Sequence, residues 1–312
     1  MKVAITGATS FLGRHLVRQF VEAGHHVFAI ARHDCEAFHT DGVELVECGM
    51  EDYGHLHGKI RCCDVLVNLA WGGTGHSGRD LTDVQERNVE HALDAIRSAH
   101  RMGCRLFVEA GSQAEYGICH GLTGEESPCA PFSEYGKAKL RIKEEGAALC
   151  AALGMGSLHL RIFSLFGEDD HPWTLVMSSL DRMLRGEDVP LSECLQSWNF
   201  MYVGDAAECI VRLCGSCLTE GPSSKGTTAH EVYNIAAAES RPLRDYVERM
   251  RVLSDSRSRL LYGAVRPGRV VSLFPDVTRL ADRIGGIPCE PFDDVILRII
   301  ETKRQTGASA AD

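Results

Sequence analysis

The sequence predicts a doubly wound α/β fold: a parallel sheet (Rossmann type) wrapped by helices on both faces, followed by a smaller α/β C-terminal lobe for the substrate. Three observations carry this reading. Short, near-continuous apolar runs alternate with longer segments of helical period. A glycine-rich turn joins the first run to the first helical segment. The 312 residues, 44% hydrophobic and 24% charged, suffice for a large core of ordinary soluble composition.

In order, Lys2–Thr6 reads as a strand and Phe11–Ala23 as the helix that follows it. His26–Ala31, Val43–Val46, Val65–Ala70, Arg105–Ala110 and Leu158–Phe163 read as further strands, with helices over Leu81–Arg101 and Tyr135–Leu153. The alternation breaks down after Gly167. Trp173–Arg185 is helical, Phe200–Val203 and Val232–Ile235 are late strands, and Pro267, Pro275, Pro288 and Pro291 punctuate the remainder. This divides the chain into a dinucleotide-binding domain, residues 1–166 with 196–238, and a substrate lobe, residues 167–195 with 239–312.

A net charge of −10 argues against nucleic acid and anionic membrane surfaces as partners. The opening segment is too short for a signal-peptide core, and no apolar run approaches the roughly 20 residues of a membrane helix, so a cytoplasmic protein is expected. Thirteen scattered cysteines with a single CxxC, Cys214–Cys217, read as reduced thiols and supply no metal site.

The turn Thr6-Gly7-Ala8-Thr9-Ser10-Phe11-Leu12-Gly13 lies where helix N-terminal amides and the positive end of the helix dipole suit a dinucleotide pyrophosphate. Gly7 permits the tight turn and Gly13 close helix–strand packing, while Ser10 stands where a further glycine would admit the phosphates most closely. Gly7, Thr9, Ser10, Phe11, Leu12 and Gly13 are therefore the first cofactor-binding candidates. The second strand ends in Ala31 and Arg32, where a carboxylate would select the ribose hydroxyls of NAD. Arg32 favours a 2′-phosphate, hence NADP, with NAD possible.

Tyr135 and Lys139 stand at i and i+4 on one helical face. A phenol of pKa about 10 needs a nearby ammonium to serve as a proton donor at neutral pH, and Lys139 is spaced to provide it. Ser112, just past a strand, can hydrogen-bond the reacting oxygen.

With glycine turn, strand-end serine and YxxxK in this order, nearly the whole chain resembles the extended short-chain dehydrogenase/reductase family, also called the NAD-dependent epimerase/dehydratase family. Asn68-Leu69-Ala70, Asn88, Gly111-Ser112-Gln113-Ala114-Glu115-Tyr116-Gly117, Phe200–Ala207 and Tyr233-Asn234-Ile235 are similar to its further signatures. The resemblance implies Ser112, Tyr135 and Lys139 as catalytic residues. It also implies Leu69, Ala70, Trp71, Asn88, Tyr135, Lys139 and Phe163 along the cofactor, with Lys139 on the nicotinamide ribose. Ser112, Ser164, Trp198 and Arg266 would face a nucleotide-sugar substrate, Arg266 gripping its diphosphate. A homodimer through the helices Leu81–Arg101 and Tyr135–Leu153 is implied as well.

Four departures from the family pattern narrow the activity. Ser10 replaces the middle glycine, Gly49 replaces the acid that meets adenine, and Trp198 replaces a phosphate-binding arginine. Gln113-Ala114 replaces the Asp-Glu pair of the dehydratases, and Glu115, one position late, should point elsewhere. Dehydration is not expected. The expected reaction is NAD(P)-dependent reduction of the 4-keto group of a nucleotide-activated deoxysugar, with Tyr135 as acid. Three alternatives stay open: a nucleotide-sugar 4-epimerase with tightly bound NAD, a reductase of a non-nucleotide carbonyl with Trp198 and residues 167–186 lining an apolar pocket, and a non-catalytic NADP-binding protein.

Overall fold

The structure, a computed structural model, describes residues 1–75, 77–119, 121–219, 230–266 and 271–309, the last four of these by their backbone alone. In chain order its amino-terminal elements are β1 (Lys2–Thr6), α1 (Phe11–Glu22), β2 (His26–Ala31), β3 (Val43–Glu47), α2 (Leu56–Lys59), β4 (Val65–Asn68), α3 (Thr82–Arg101), β5 (Leu106–Ser112), α4 (Glu134–Ala152) and β6 (Gly156–Ile162). Then come β7 (Ser164–Phe166), α5 (Leu175–Leu184), β8 (Val189–Pro190), β9 (Ser197–Trp198), β10 (Phe200–Tyr202), α6 (Val203–Thr219), β11 (His230–Ile235), β12 (Arg241–Pro242), α7 (Leu243–Leu253), β13 (Leu260–Leu261), α8 (Thr278–Ile284) and α9 (Phe292–Ser309).

Seven strands form one sheet in the order β11-β6-β5-β4-β1-β2-β3, every pairing parallel. An all-parallel sheet needs cover on both faces, which is why its strands are apolar throughout rather than alternating. On one face Val3 and Ile5 of β1 pack with Leu16 and Phe20 of α1 and Ile210 and Leu213 of α6. On the other, Ala4, Leu66 and Phe107 meet Ala95, Ile96 and Ala99 of α3 and Cys150 of α4. The strand order reverses direction between β1 and β4, so their carboxyl ends open the crevice where ligands bind in such folds.

The late strands divide. β11 takes the sheet edge against β6, whereas β10 pairs with β7 in a separate two-stranded ribbon, Phe200 opposite Ser164. Phe163 marks the break: its N–H donates to Ile235 at 3.0 Å, the last bond to the main sheet. Asn199, fully buried, then anchors the ribbon by donating to the carbonyls of Ala237 and Glu239, both at 2.9 Å.

The Pro-punctuated region holds more helix than its prolines suggest. α7 buries Leu243, Tyr246, Val247 and Met250, spaced i, i+3, i+4, i+7, and α9 buries Val295, Ile296, Ile299 and Ile300 against α5 and Met177, Leu180 and Met183. Each such side chain contributes roughly 1.5–3 kcal/mol of burial. Arg298 ties this cluster to the segment after β7 through Glu168 at 2.8 Å. α8, though late in the chain, adds Leu280 to the α1/α6 side of the sheet.

Candidate active site

At the end of β1 Gly7 adopts φ +64°, and a Cβ there would sit 2.9 Å from the Ala70 backbone nitrogen. A Cβ on Gly13 would sit 2.3 Å from the Gly7 carbonyl oxygen, so turn, helix and β4 close on one another only without side chains. Ser10 is the N-cap of α1, its hydroxyl accepting the Gly13 N–H at 3.1 Å. Thr9 and Ser10 are exposed, and Phe11, Leu69, Ala70 and Trp71 half-buried, forming a ledge beside the helix N-terminus; Leu12 is buried beneath it.

β5 runs on to Ser112, which makes this serine the last residue of the strand and the cap of a short 3₁₀ turn. Its hydroxyl accepts the Ala114 N–H at 3.2 Å. Its own N–H donates to Glu115 at 2.8 Å. Glu115 does point away from the crevice, into a buried cluster with His159 at 2.8 Å and Arg161 at 2.9 Å. Burial by itself would raise its carboxyl, but the His159 charge and hydrogen bond, Arg161 and the Ser112 N–H together hold it down at about 2. Glu115 thus secures the backbone of Ser112 without facing the crevice.

Ser133 caps α4, its hydroxyl accepting the Gly136 N–H at 3.1 Å, and the first turn brings the Tyr135 phenol near enough to Ser112 for the serine hydroxyl to favour its ionised form. Burial pushes this phenol up, while the Ser112 hydroxyl and Arg79 oppose the rise and Glu115 and Glu109 reinforce it. The Arg79 guanidinium carbon lies 4.4 Å from the centroid of the Tyr135 ring, and the Arg79 carbonyl accepts the Tyr135 N–H at 2.8 Å.

Lys139 follows one turn later, buried, with Nζ 2.6 Å from the Ala110 carbonyl and 3.4 Å from Glu109 Oε1. The Trp71 ring covers it at 3.4 Å, and Trp71 is fixed by Gln85, which accepts its indole N–H at 2.8 Å. Burial lowers Lys139, an effect Glu109 opposes; burial raises Glu109, an effect Lys139 opposes. Glu109 also accepts from Asn68 Nδ2 at 2.8 Å, and Asn68 accepts from the Thr6 hydroxyl at 2.7 Å. Thr6 in turn accepts the N–H groups of Leu69 and Ala70, both at 3.2 Å, so one chain of bonds connects Lys139 to the root of the glycine turn.

Ser112, Tyr135 and Lys139 therefore converge beside the Gly7–Gly13 turn. Asn88 is spent on the loop between them, bonding both the N–H and the carbonyl of Gly72 at 2.9 and 2.8 Å. Arg32 is exposed at the end of β2. Phe163 is buried against Tyr116 in an apolar cluster that Trp198 also joins, while Ser164 is half-buried at the start of β7. Arg266 is exposed on the segment after β13, where Val265 donates to the Leu191 carbonyl at 3.0 Å; Pro267, which follows it, lies outside the described residues. A cavity of about 270 Å³ lies against β10, lined by Phe166, Phe200, Tyr202, Tyr246 and Phe292, and neither Trp198 nor residues 167–186 border it. Among the described residues no helix is long and apolar enough to cross a membrane, and no group of His, Cys, Asp and Glu could hold a metal ion.

Three residues of the site escape sequence reasoning. Glu109 sits in an apolar strand, and an acid at a doubly covered position is the signal that could have exposed it. Arg79 lies in a loop with no periodicity to aim it. Glu51 stands two residues after Gly49, with its carboxylate carbon 2.6 Å from where a Gly49 Cβ would be, so it fills the space left by the missing acid.

Residues 3–241 match the NAD dependent epimerase/dehydratase family. The chain belongs to this family. Its relatives within the family include the dTDP-6-deoxy-L-talose 4-dehydrogenase (NAD(+)) of Aggregatibacter actinomycetemcomitans, 26% identical over 66% of this chain and 77% of that protein. The CDP-abequose synthase of Salmonella muenchen is 23% identical over 85% of this chain and 84% of its own length. Among solved structures, the fold of this epimerase/dehydratase family member is similar to UDP-glucose 4-epimerase from Thermotoga maritima, with a TM-score of 0.83 at 19% identity over 98% and 99% of the two chains. It is likewise similar to MoeE5 in complex with UDP-glucuronic acid and NAD, with a TM-score of 0.81 at 21% identity over 98% and 100%. As a member of the family the protein is an NAD-dependent oxidoreductase or epimerase.

Proposed function

We propose that the protein reduces the 4-keto group of a nucleotide-activated deoxysugar, using NADPH. The convergence of Tyr135 and Ser112 with Lys139 beside the glycine turn carries this reading. The turn suits a dinucleotide: two positions exclude any Cβ, the helix N-terminus faces the ledge, and an exposed Arg32 follows Ala31 where a carboxylate would repel a 2′-phosphate. Glu51, over Gly49, is the acid available to the adenine amino group.

The coenzyme supplies the hydride. Ser112 holds the carbonyl oxygen, Tyr135 gives that oxygen its phenolic proton, and Lys139 holds the nicotinamide ribose. Arg266 grips the substrate diphosphate, a local positive charge on a chain of net −10. Trp198 and Ser164 border the sugar, residues 167–195 with 239–312 form the substrate lobe, and α3 and α4 pair two copies into a homodimer.

The relatives named as 4-epimerases keep a second reading in view, since an epimerase needs the same three residues and returns its hydride each cycle. The test is incubation with a panel of nucleotide 4-keto-6-deoxy sugars and NADPH or NADH while nicotinamide absorbance is followed. Stoichiometric NADPH loss that weakens on Arg266→Ala is expected. Protein isolated with tightly held NAD that interconverts two epimers without net oxidation would establish the second reading instead.

A further inference from the structure

The cavity of about 270 Å³ against β10 is separate from the crevice, since Ser112, Tyr135 and Lys139 do not border it. It opens where the β7/β10 ribbon, the start of α6, the residues after β11 and the segment leading into α9 meet α7. Its volume, just under the roughly 300–1,000 Å³ of drug-sized sites, suits a small ligand. The five rings that border it brace one another. Phe292 lies 5.0 Å from Phe166 and 4.9 Å from Tyr246 between centroids, and Phe200 lies 5.0 Å from Tyr246. Two of these rings already take guanidinium groups, with Arg298 5.2 Å from the centroid of Tyr202 and Arg241 6.0 Å from that of Tyr246.

The charges on the wall leave one carboxylate over. Asp205, Glu239 and Glu290 border the cavity, against the single guanidinium of Arg241. Glu239 pairs with Arg241 at 3.1 Å, both side chains exposed. Glu290 pairs with Arg298, which also serves Glu168. Asp205 stands in the first turn of α6 and is 9% exposed. It accepts the Glu290 N–H at 2.8 Å, and among the described residues no cationic side chain pairs with it. Burial pushes its carboxyl up; the Glu290 and Glu208 charges reinforce the rise, and the Glu290 N–H and Arg298 oppose it. A carboxylate held in so apolar a wall is relieved by a cation that comes beside it, whereas an anion would meet a surplus of negative charge.

We propose that this cavity binds a small organic cation, an ammonium group carried on an apolar body, with Asp205 as its counter-ion and the rings of Phe166, Phe200, Tyr202, Tyr246 and Phe292 around it. The site does not depend on the reaction proposed for the crevice. Its chemistry is that of an aromatic cage closed by one carboxylate.

The test uses the whole protein without substrate or coenzyme. Choline and 3,3-dimethylbutan-1-ol, which replaces the ammonium nitrogen by carbon, are titrated by calorimetry. Choline should bind saturably and at least about ten-fold more tightly than the alcohol, the margin that a desolvated cation–ring contact supplies. Asp205→Asn keeps an oxygen for the Glu290 N–H and loses the charge, so it should weaken choline by about ten-fold and leave the alcohol unchanged. An independent readout needs no variant. Cys289 is exposed and borders the cavity, so saturating choline should slow its alkylation by N-ethylmaleimide, followed by peptide mass mapping, while the exposed Cys62 reacts as before. No saturable choline binding, equal affinity for the two compounds, or Cys289 alkylation that choline does not slow would overturn the proposal.

Discussion

Replacing Glu115 by Gln strips the charge from a carboxylate that is 0% exposed and accepts from three donors, the Ser112 N–H, His159 and Arg161. Gln offers one acceptor oxygen in place of two and turns an amide NH₂ toward a donor. Arg161, 1% exposed, would keep its charge with the Glu125 carbonyl, the Cys129 sulfur and the face of the Tyr116 ring as partners and no carboxylate among the described residues. Breaking a buried ion pair on one side costs about 3–5 kcal/mol. With an unfolding entropy of roughly 2.1 cal/mol/K per residue over 312 residues, this lowers Tm by about 5–8 °C. The pH dependence gives the sharper signature. The folded carboxyl lies at about 2, below its ordinary 4.5, so its stabilisation is fully present above the unfolded value and is lost as pH falls toward the folded one. That displacement amounts to about 3 kcal/mol. Calorimetry on both proteins should therefore show a Tm gap that is constant from about pH 7 to 5 and narrows below about pH 4.5. A gap under about 1 °C at neutral pH, or one that keeps its full width down to about pH 3, would refute the charge-network account of Glu115.

Tyr135→Phe should cut turnover by roughly 10²–10⁴-fold with coenzyme affinity nearly unchanged, because only the proton-transferring hydroxyl is lost; stopped-flow reduction with coenzyme titration checks it, and a full rate would remove Tyr135 as acid. NADPH should bind more tightly than NADH, and Arg32→Asp should reverse the order in fluorescence titrations; equal affinities in the unmodified protein would leave Arg32 a surface charge. Sedimentation at micromolar concentration is expected to show a dimer joined through α3 and α4, and a monomer would remove that part of the reading.

Periodicity and glycine placement suffice to read the sheet strands of residues 1–162, the helices α1, α3 and α4 and the glycine turn, though not the one-turn α2, because those features depend on local rules: apolar continuity for doubly covered strands and the exclusion of Cβ where backbones touch. The i, i+4 relation of Tyr135 and Lys139 follows from helix geometry in the same way, whereas the expectation that Glu115 points away came from its offset relative to the family pattern. The helices α7 and α9 were also written in their apolar spacing, though prolines nearby masked it. The tertiary structure alone decided which charges meet. Glu109 beneath Lys139, Arg79 over Tyr135, Glu51 in the space above Gly49, and the departure of β10 from the main sheet join residues from 2 to 56 positions apart in sequence. Sequence spacing cannot reveal such partners, because the electrostatic environment of a buried group is the sum over neighbours that only packing brings within a few ångströms.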